Sequence, residues 1–547
     1  MSTRQHREMP SHVSTANQPN VKSSTVRYPI GKQDFRSLRE GGYAYVDKTG
    51  FIPKLLEGST YYFLGRPRRF GKSLFLSTLE YFFLGERELF KDLIIDSYQW
   101  DWEEYPVIRI DLNGADFAES PAALSEKLNQ QLSIVEEKYG IENRSTDLID
   151  RFYQLIRRLS ESTFKKVVVL VDEYEKPVID AIANEAIQNK NKEFLRAFYG
   201  VLKSLDKYLK LVFLTGVTKF GQMSVFSGLN NIDDISMDDA FGAVCGITET
   251  ELKENFREGI SLFAEINAIT EEEVFVLLKE SYDGYHFSER CPDLYNPYSL
   301  IKALSKNKIG SYWSLSGTPN LLATVLVEQR YDLGNLNGIR ATERRLMGIG
   351  NQFEDPVALL YHTGYLTIKS YDRELEEYVL GFPNKEVEQA FFEYLLPNYT
   401  SGGKNEVESR VSKFKRYITE GAPIKAMEEM EAFSAGISYD LIPEAEIERH
   451  FQTLVYIFSS LSVSSNVKVF PEKKTSDGRI DLLIETPRFV YIIEIKRDQD
   501  PETALWQIEE KNYALQYKGD RRKIFLIGLN FSTDKKRLDG IACKEYP

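Results

Sequence analysis

The chain has 547 residues, 69 basic and 82 acidic side chains, a net charge of −13 and 42% apolar residues, enough for several cores at roughly 150 residues per domain. A mean hydropathy of −0.36 and aliphatic runs no longer than Val167 to Val171 exclude a bilayer-spanning helix, which needs about 20 apolar residues. The acidic balance argues against a surface coated with cations for duplex DNA and leaves room only for a local basic groove.

Residues 1–26 are rich in Ser, Thr, Asn, Gln and Pro and lack the apolar periodicity that would offset the entropy of ordering, so a flexible tail is expected. Arg4, Arg7 and Lys22 against Glu8 hint at an organelle transit peptide, but no apolar helical stripe accompanies them. From 27 to 235 short apolar runs at Thr60 to Leu64, Pro106 to Asp111, Val167 to Val171 and Leu211 to Leu214 alternate with helical periodicity. That pattern predicts a parallel sheet with helices on its faces. Residues 236–380 read as a mainly helical lid or accessory region, closing on a hairpin at Leu366 to Ile368 and Tyr378 to Leu380. Residues 381–547 give a second α/β unit: a helix, strands at Asn466 to Phe470, Arg479 to Glu485 and Phe489 to Ile495, a helix over Glu502 to Tyr517, and a strand over Lys523 to Leu529. Cys245, Cys291 and Cys543 share no CxxC spacing, so neither a disulfide framework nor a zinc cage is expected, which points to a reducing, cytoplasmic compartment.

Between the first strand and the helix beginning at Ser73 lies Leu64-Gly-Arg-Pro-Arg-Arg-Phe-Gly-Lys-Ser73. A loop that turns at Gly71 and exposes N–H groups at a helix start suits a polyphosphate. Lys72 would reach the β- and γ-phosphates and Ser73 would hold Mg²⁺. The G-x-x-x-x-G-K-[ST] pattern wants glycine where Arg66 stands, with Gly65 one place early. The partner motif is Val167-Val-Val-Leu-Val-Asp-Glu173, an aliphatic strand ending in two acids. There Asp172 would orient the Mg²⁺ shell and Glu173 would polarise the attacking water. Arg66, Arg68 and Arg69 add cations that could grip phosphate, pair with acids of a lid or remain solvated. Thr218, past the carboxyl end of the strand at Leu211, is a candidate γ-phosphate sensor or a loop cap.

Near the C-terminus, Gly478-Arg-Ile-Asp-Leu-Leu-Ile-Glu485 is followed by Phe489-Val-Tyr-Ile-Ile-Glu-Ile-Lys496. Residues two apart on a strand share a face, so Glu494 and Lys496 project together, and a short antiparallel turn can bring Asp481 beside them. Converging carboxylates suit Mg²⁺, which would activate water at a scissile phosphate while Lys496 orients the nucleophile or neutralises charge. An ordinary cross-strand ion pair is the alternative. Glu446, on a preceding helix, is a candidate third carboxylate, with Glu448 competing for the position, and Gln507 could position substrate or water. Residues 467–547 carry 16 basic and 14 acidic side chains against a net −15 for the rest, which agrees with a polyanionic substrate.

Tyr45-Val-Asp-Lys-Thr49, the string from Phe63 to Ser73, Val171-Asp-Glu-Tyr174, Phe213-Leu-Thr-Gly-Val-Thr-Lys-Phe220, Phe226-Ser-Gly-Leu-Asn-Asn231 and Asp283-Gly-Tyr-His-Phe287 resemble AAA-ATPase-like proteins with a C-terminal PD-(D/E)xK nuclease domain. The resemblance covers nearly everything after Tyr28, and Arg66 in place of glycine is itself a family feature. It implies a P-loop NTPase sheet domain, a helical middle region and a restriction-endonuclease-like α/β domain. The implied phosphate-loop residues are Gly71, Lys72 and Ser73, the acids Asp172 and Glu173, and the nuclease core Asp481, Glu494 and Lys496. Ile480 stands where the proline of the nuclease name would be.

Together these features predict an ATP-binding and hydrolysing protein coupled to a Mg²⁺-dependent nuclease, with ATP, Mg²⁺ and nucleic acid, DNA rather than RNA, as ligands. No membrane partner is expected, and a homo-oligomer is left open. The alternative is a nucleotide-switched signalling or scaffold ATPase whose C-terminal fold binds a partner without cutting it.

Overall fold

The computed structural model describes residues 26–142, 144–217, 231–313, 326, 331, 336–347, 355–396, 403–437, 447–462, 467–475 and 478–546. The tail expected at 1–26 falls outside them apart from Val26.

The first region is built on five strands: β1 (Tyr61–Gly65), β2 (Val107–Asp111), β3 (Val167–Asp172), β4 (Leu209–Gly216) and β5 (Asp233–Asp234). Every pairing in it is parallel and the order is β2-β3-β4-β1-β5, so β4 separates β1 from β3. Val167 to Asp172 are fully buried, which is why the run reads as uninterrupted aliphatic rather than alternating. On one face lies α1 (Lys72–Phe83), whose Phe75, Leu76, Leu79 and Phe83 pack against Leu64, Leu170 and Phe213. On the other lie α2 (Pro121–Tyr139), α3 (Leu148–Thr163) and α4 (Glu185–Ser204), sharing a core with Phe63, Val169 and Val212. Burying each such side chain contributes about 1.5–3 kcal/mol.

The middle region carries α5 (Glu249–Asn255), α6 (Arg257–Asn267), α7 (Glu271–Tyr282), α8 (Pro297–Lys306) and α9 (Pro356–Thr363). Thr248 and Thr270 start α5 and α7 with reciprocal capping boxes to Glu251 and Glu273. The region is not helical throughout. β6 (Ile247–Thr248) pairs with β7 (Leu294–Tyr295), and β8 (Ile339–Thr342) joins the hairpin β9 (Thr367–Asp372) and β10 (Glu377–Gly381) in the order β8-β10-β9. Four residues such as Ile-Arg-Ala-Thr, buried only at Ala341, leave too little alternation to signal a strand.

After α10 (Lys385–Leu395), α11 (Gly403–Glu420), α12 (Pro423–Ser434) and α13 (Ile447–Ser460) comes a second five-stranded sheet. It comprises β11 (Lys468–Thr475), β12 (Gly478–Glu485), β13 (Phe489–Arg497), β14 (Lys523–Ser532) and β15 (Arg537–Tyr546), hydrogen-bonded in chain order. Only β13 and β14 run parallel, linked by α14 (Pro501–Glu510). The helix expected to reach Tyr517 stops at Glu510 because Asn512 takes a left-handed backbone, φ +48°. Among the described residues no helix is long and apolar enough to cross a membrane.

Candidate nucleotide and metal sites

At the carboxyl edge of the first sheet, the loop after β1 arches from Gly65 to Gly71. Gly71 has φ +102°, a backbone that a side chain would strain, and it turns the chain into the first turn of α1. Lys72 is 4% exposed, and its Nζ donates to the carbonyls of Arg66 (2.9 Å) and Pro67 (3.2 Å). The head of the lysine therefore lies inside the arc, 3.8 Å from Glu173 Oε1. Asp172, 1% exposed, accepts the Thr215 hydroxyl at 2.6 Å, a contact made possible because β3 and β4 are neighbours. Glu173 follows with φ +54°, a conformation uncommon outside glycine, which turns its side chain toward the lysine. Ser73 is the second residue of α1. Thr218 lies outside the described residues.

The loop arginines do something the sequence reading did not foresee. Arg66 is 1% exposed and donates to the carbonyls of Gly65, Ser236, Phe241 and Gly242 at 2.7–3.2 Å, with its guanidinium 4.3 Å from the centroid of Phe287. It is a buried strap between the loop and residues 236–242, neither a phosphate ligand nor a solvated cation. The guanidinium of Arg69 lies 4.0 Å over Tyr298 and donates to the Tyr312 carbonyl at 3.1 Å. Its head faces the middle region.

Beside this arc is a cavity of about 80 Å³ lined by Val46, Gly71, Leu74, Ile247 and Ile301 among others. Lys48, on its wall, is paired with Glu251 of α5 at 2.7 and 2.8 Å. Sequence reasoning missed it, because its walls come from seven separate stretches of chain; Tyr45-Val-Asp-Lys48 enters the sequence analysis only through the resemblance.

In the second sheet, Leu482 opposes Ile493 across the β12–β13 pair. Continuing that register puts Asp481 opposite Glu494 on one face. Asp481 Oδ2 accepts the Ile495 N–H at 2.9 Å, and Lys496 Nζ is 3.2 Å from Glu494 Oε1. From α14, Gln507 Nε2 also donates to Glu494 Oε1. Glu494 is 3% exposed, and its Oε2 is buried without a hydrogen-bond partner among the described residues. Burial first, then the nearby Asp481 charge, pushes its carboxyl up to about 7. A buried acceptor without a donor is costly, and two carboxylates on neighbouring positions of one sheet face are the donor set that a hard divalent cation satisfies. No group of three or more metal-ligating side chains occurs among the described residues, and Glu446 lies outside them.

Residues 29–226 match the model of a predicted AAA-ATPase, and residues 446–539 match that of the PD-(D/E)XK nuclease superfamily. A protein of Azotobacter chroococcum mcd 1, described as an uncharacterized protein in the vnfD 5′ region, is 34% identical over 524 residues, which span 94% of this chain and 98% of that one. The chain belongs to this family of AAA-ATPase-like proteins with a C-terminal PD-(D/E)XK superfamily domain. A solved structure of the Aeropyrum pernix ORC2 protein in ADPNP–ADP complexes covers 66% of this chain and 93% of its own at 11% identity and a TM-score of 0.24, too loose a likeness to carry an argument. Within the family frame, the lysine arc falls in the ATPase-like segment, and Asp481, Glu494, Lys496 and Gln507 all fall in the nuclease-superfamily segment.

Proposed function

We propose that the chain binds and hydrolyses ATP and cleaves nucleic acid phosphodiesters with Mg²⁺ at a second site under nucleotide control. The observation that carries the nuclease reading is the orphaned, buried Oε2 of Glu494 facing Asp481, with Lys496 on the same face. Asp481 and Glu494 would hold Mg²⁺, and Lys496 would orient or neutralise the attacked phosphate. A bound Mg²⁺ supplies an activated water and stabilises developing charge. Gln507 holds the Glu494 carboxylate in place from α14. At the first site Lys72 would release its loop carbonyls for the phosphates, Ser73 and Asp172 would hold the ion, Thr215 fixes the Asp172 rotamer, and Glu173 would take the proton of the attacking water. The apolar cavity at Val46 and Leu74 would take the base.

The test is incubation of purified protein with labelled single- and double-stranded DNA and RNA, with and without ATP and Mg²⁺. Asp481→Ala should abolish Mg²⁺-dependent cleavage and leave ATP turnover unchanged, while Lys72→Ala should weaken ATP binding ten- to a hundredfold, the roughly 1.5–3 kcal/mol of a charged hydrogen bond. Full cleavage by Asp481→Ala would refute the nuclease assignment. Intact substrates with wild-type protein that still turns over ATP would leave the nucleotide-switched scaffold reading.

A further inference from the structure

One buried acid beside the first site has no part in the roles above. Glu175, two residues past the acid pair, is 1% exposed. Its Oε1 accepts the backbone N–H of Val217, the residue that follows β4. The fit is close: a Cβ on Gly216 would overlap the Glu175 carboxylate and come within 2.8 Å of the Tyr174 ring. Gly216 is therefore the only residue type that lets the carboxylate in. Gly216 is also a joint, since its carbonyl accepts the N–H of Arg66 in the phosphate loop at 3.1 Å, and one residue earlier the Thr215 carbonyl accepts the N–H of Tyr174 at 3.1 Å. The end of β4 thus touches the loop on one side and the acid turn on the other, and Glu175 clamps it to the turn.

We propose that Glu175 is a positioning residue of the ATP-hydrolysing site, holding the Gly216–Val217 peptide so that the acid turn and the phosphate loop keep one fixed spacing. This rests on the nucleotide reading given above. Binding of ATP depends mainly on the loop and on Lys72. Hydrolysis depends on where Glu173 stands relative to the loop, and that is the distance the clamp sets. Loss of the clamp should therefore lower kcat and spare ATP affinity. Burial, then the Glu173 charge, push the Glu175 carboxyl well above its ordinary value, so glutamine, neutral and still an acceptor, is the conservative replacement.

The experiment compares Glu175→Ala, Glu175→Gln and wild type in the full chain by calorimetric ATP affinity, steady-state ATP turnover and hydrogen exchange at the Val217 amide. Expected is a kcat about a hundredfold lower for Glu175→Ala, the loss that a misplacement of about 1 Å produces, with Kd for ATP unchanged, faster exchange at Val217, and recovery of both by Glu175→Gln. Glu175→Asp, one methylene short of Val217, should show the same drop and serves if the alanine variant does not fold. A kcat for Glu175→Ala or Glu175→Asp within twofold of wild type, or an equal loss in the glutamine variant, overturns the proposal. Wild-type protein that binds no ATP fails the nucleotide reading itself, while Val217 exchange still reports whether the clamp exists.

Discussion

Arg66 stands where the phosphate-loop pattern wants glycine, and its surroundings explain why. Its guanidinium satisfies the carbonyl of Gly65 and the buried carbonyls of Ser236, Phe241 and Gly242. Restoring glycine there should not improve the loop. Arg66→Gly is expected to cost about 3 kcal/mol or more, because each buried acceptor left without a donor costs roughly 1–3 kcal/mol; an unchanged unfolding midpoint in denaturant would refute the strap. Glu494 gives a pH signature. Its folded carboxyl is raised from an ordinary 4.5 to about 7, so its contribution to stability is present in full below about pH 4.5 and is lost as pH rises through about 7. In metal-free buffer the melting temperature of Glu494→Gln should gain on wild type between pH 5 and pH 8. Mg²⁺ must displace that proton, so its affinity should rise roughly tenfold per unit up to about pH 7. A pH-independent Mg²⁺ affinity read by calorimetry counts against Glu494 as ligand.

At the scale of elements, buried parallel strands were the most legible feature, since Val167 to Asp172 has no solvent face and so no polar interruption. β15 was the least legible: Arg537-Leu-Asp-Gly-Ile-Ala-Cys-Lys-Glu-Tyr546 is half polar, and its place in the sheet is set by the antiparallel ladder with β14. The strand parity that puts Glu494 and Lys496 on one face is local and could be read directly. The position of Gln507 over Glu494 could not, because it depends on how α14 crosses the sheet. The cavity beside α1 is likewise a property of elements assembled. Val46→Trp should fill its roughly 80 Å³ and weaken ATP binding at least about tenfold, at a packing cost of about 1–3 kcal/mol. Undiminished affinity by calorimetry would place the base elsewhere.

Across the molecule, buried apolar side chains run without a break from Phe70 through Tyr285 and Phe391 to Phe451 and Phe531, so the phosphate loop and the second sheet share a packed connection. Polar contacts follow the same line. Arg69 of the loop holds the Tyr312 carbonyl, Glu386 at the start of α10 accepts the N–H groups of Tyr312 and Trp313, and Glu388 two residues on accepts Tyr456 of α13 at 3.5 Å. Arg69→Ala should therefore change ATP affinity far less than the ten- to a hundredfold expected for Lys72→Ala and should alter how strongly ATP affects cleavage. An ATP affinity lost as in Lys72→Ala would show that Arg69 grips phosphate after all.

The sequence alone determined the two α/β regions, the lysine loop with its acid pair, and the parity that groups Glu494 with Lys496, because each is written in the spacing of neighbouring residues along one strand or one turn. Only the tertiary structure decided that Arg66 is a strap, that Arg69 faces the middle region, that Glu175 reaches Val217 and that Gln507 meets Glu494. Those contacts join residues 13 to 243 positions apart in the chain, and no local periodicity encodes which distant carbonyl a buried donor will find.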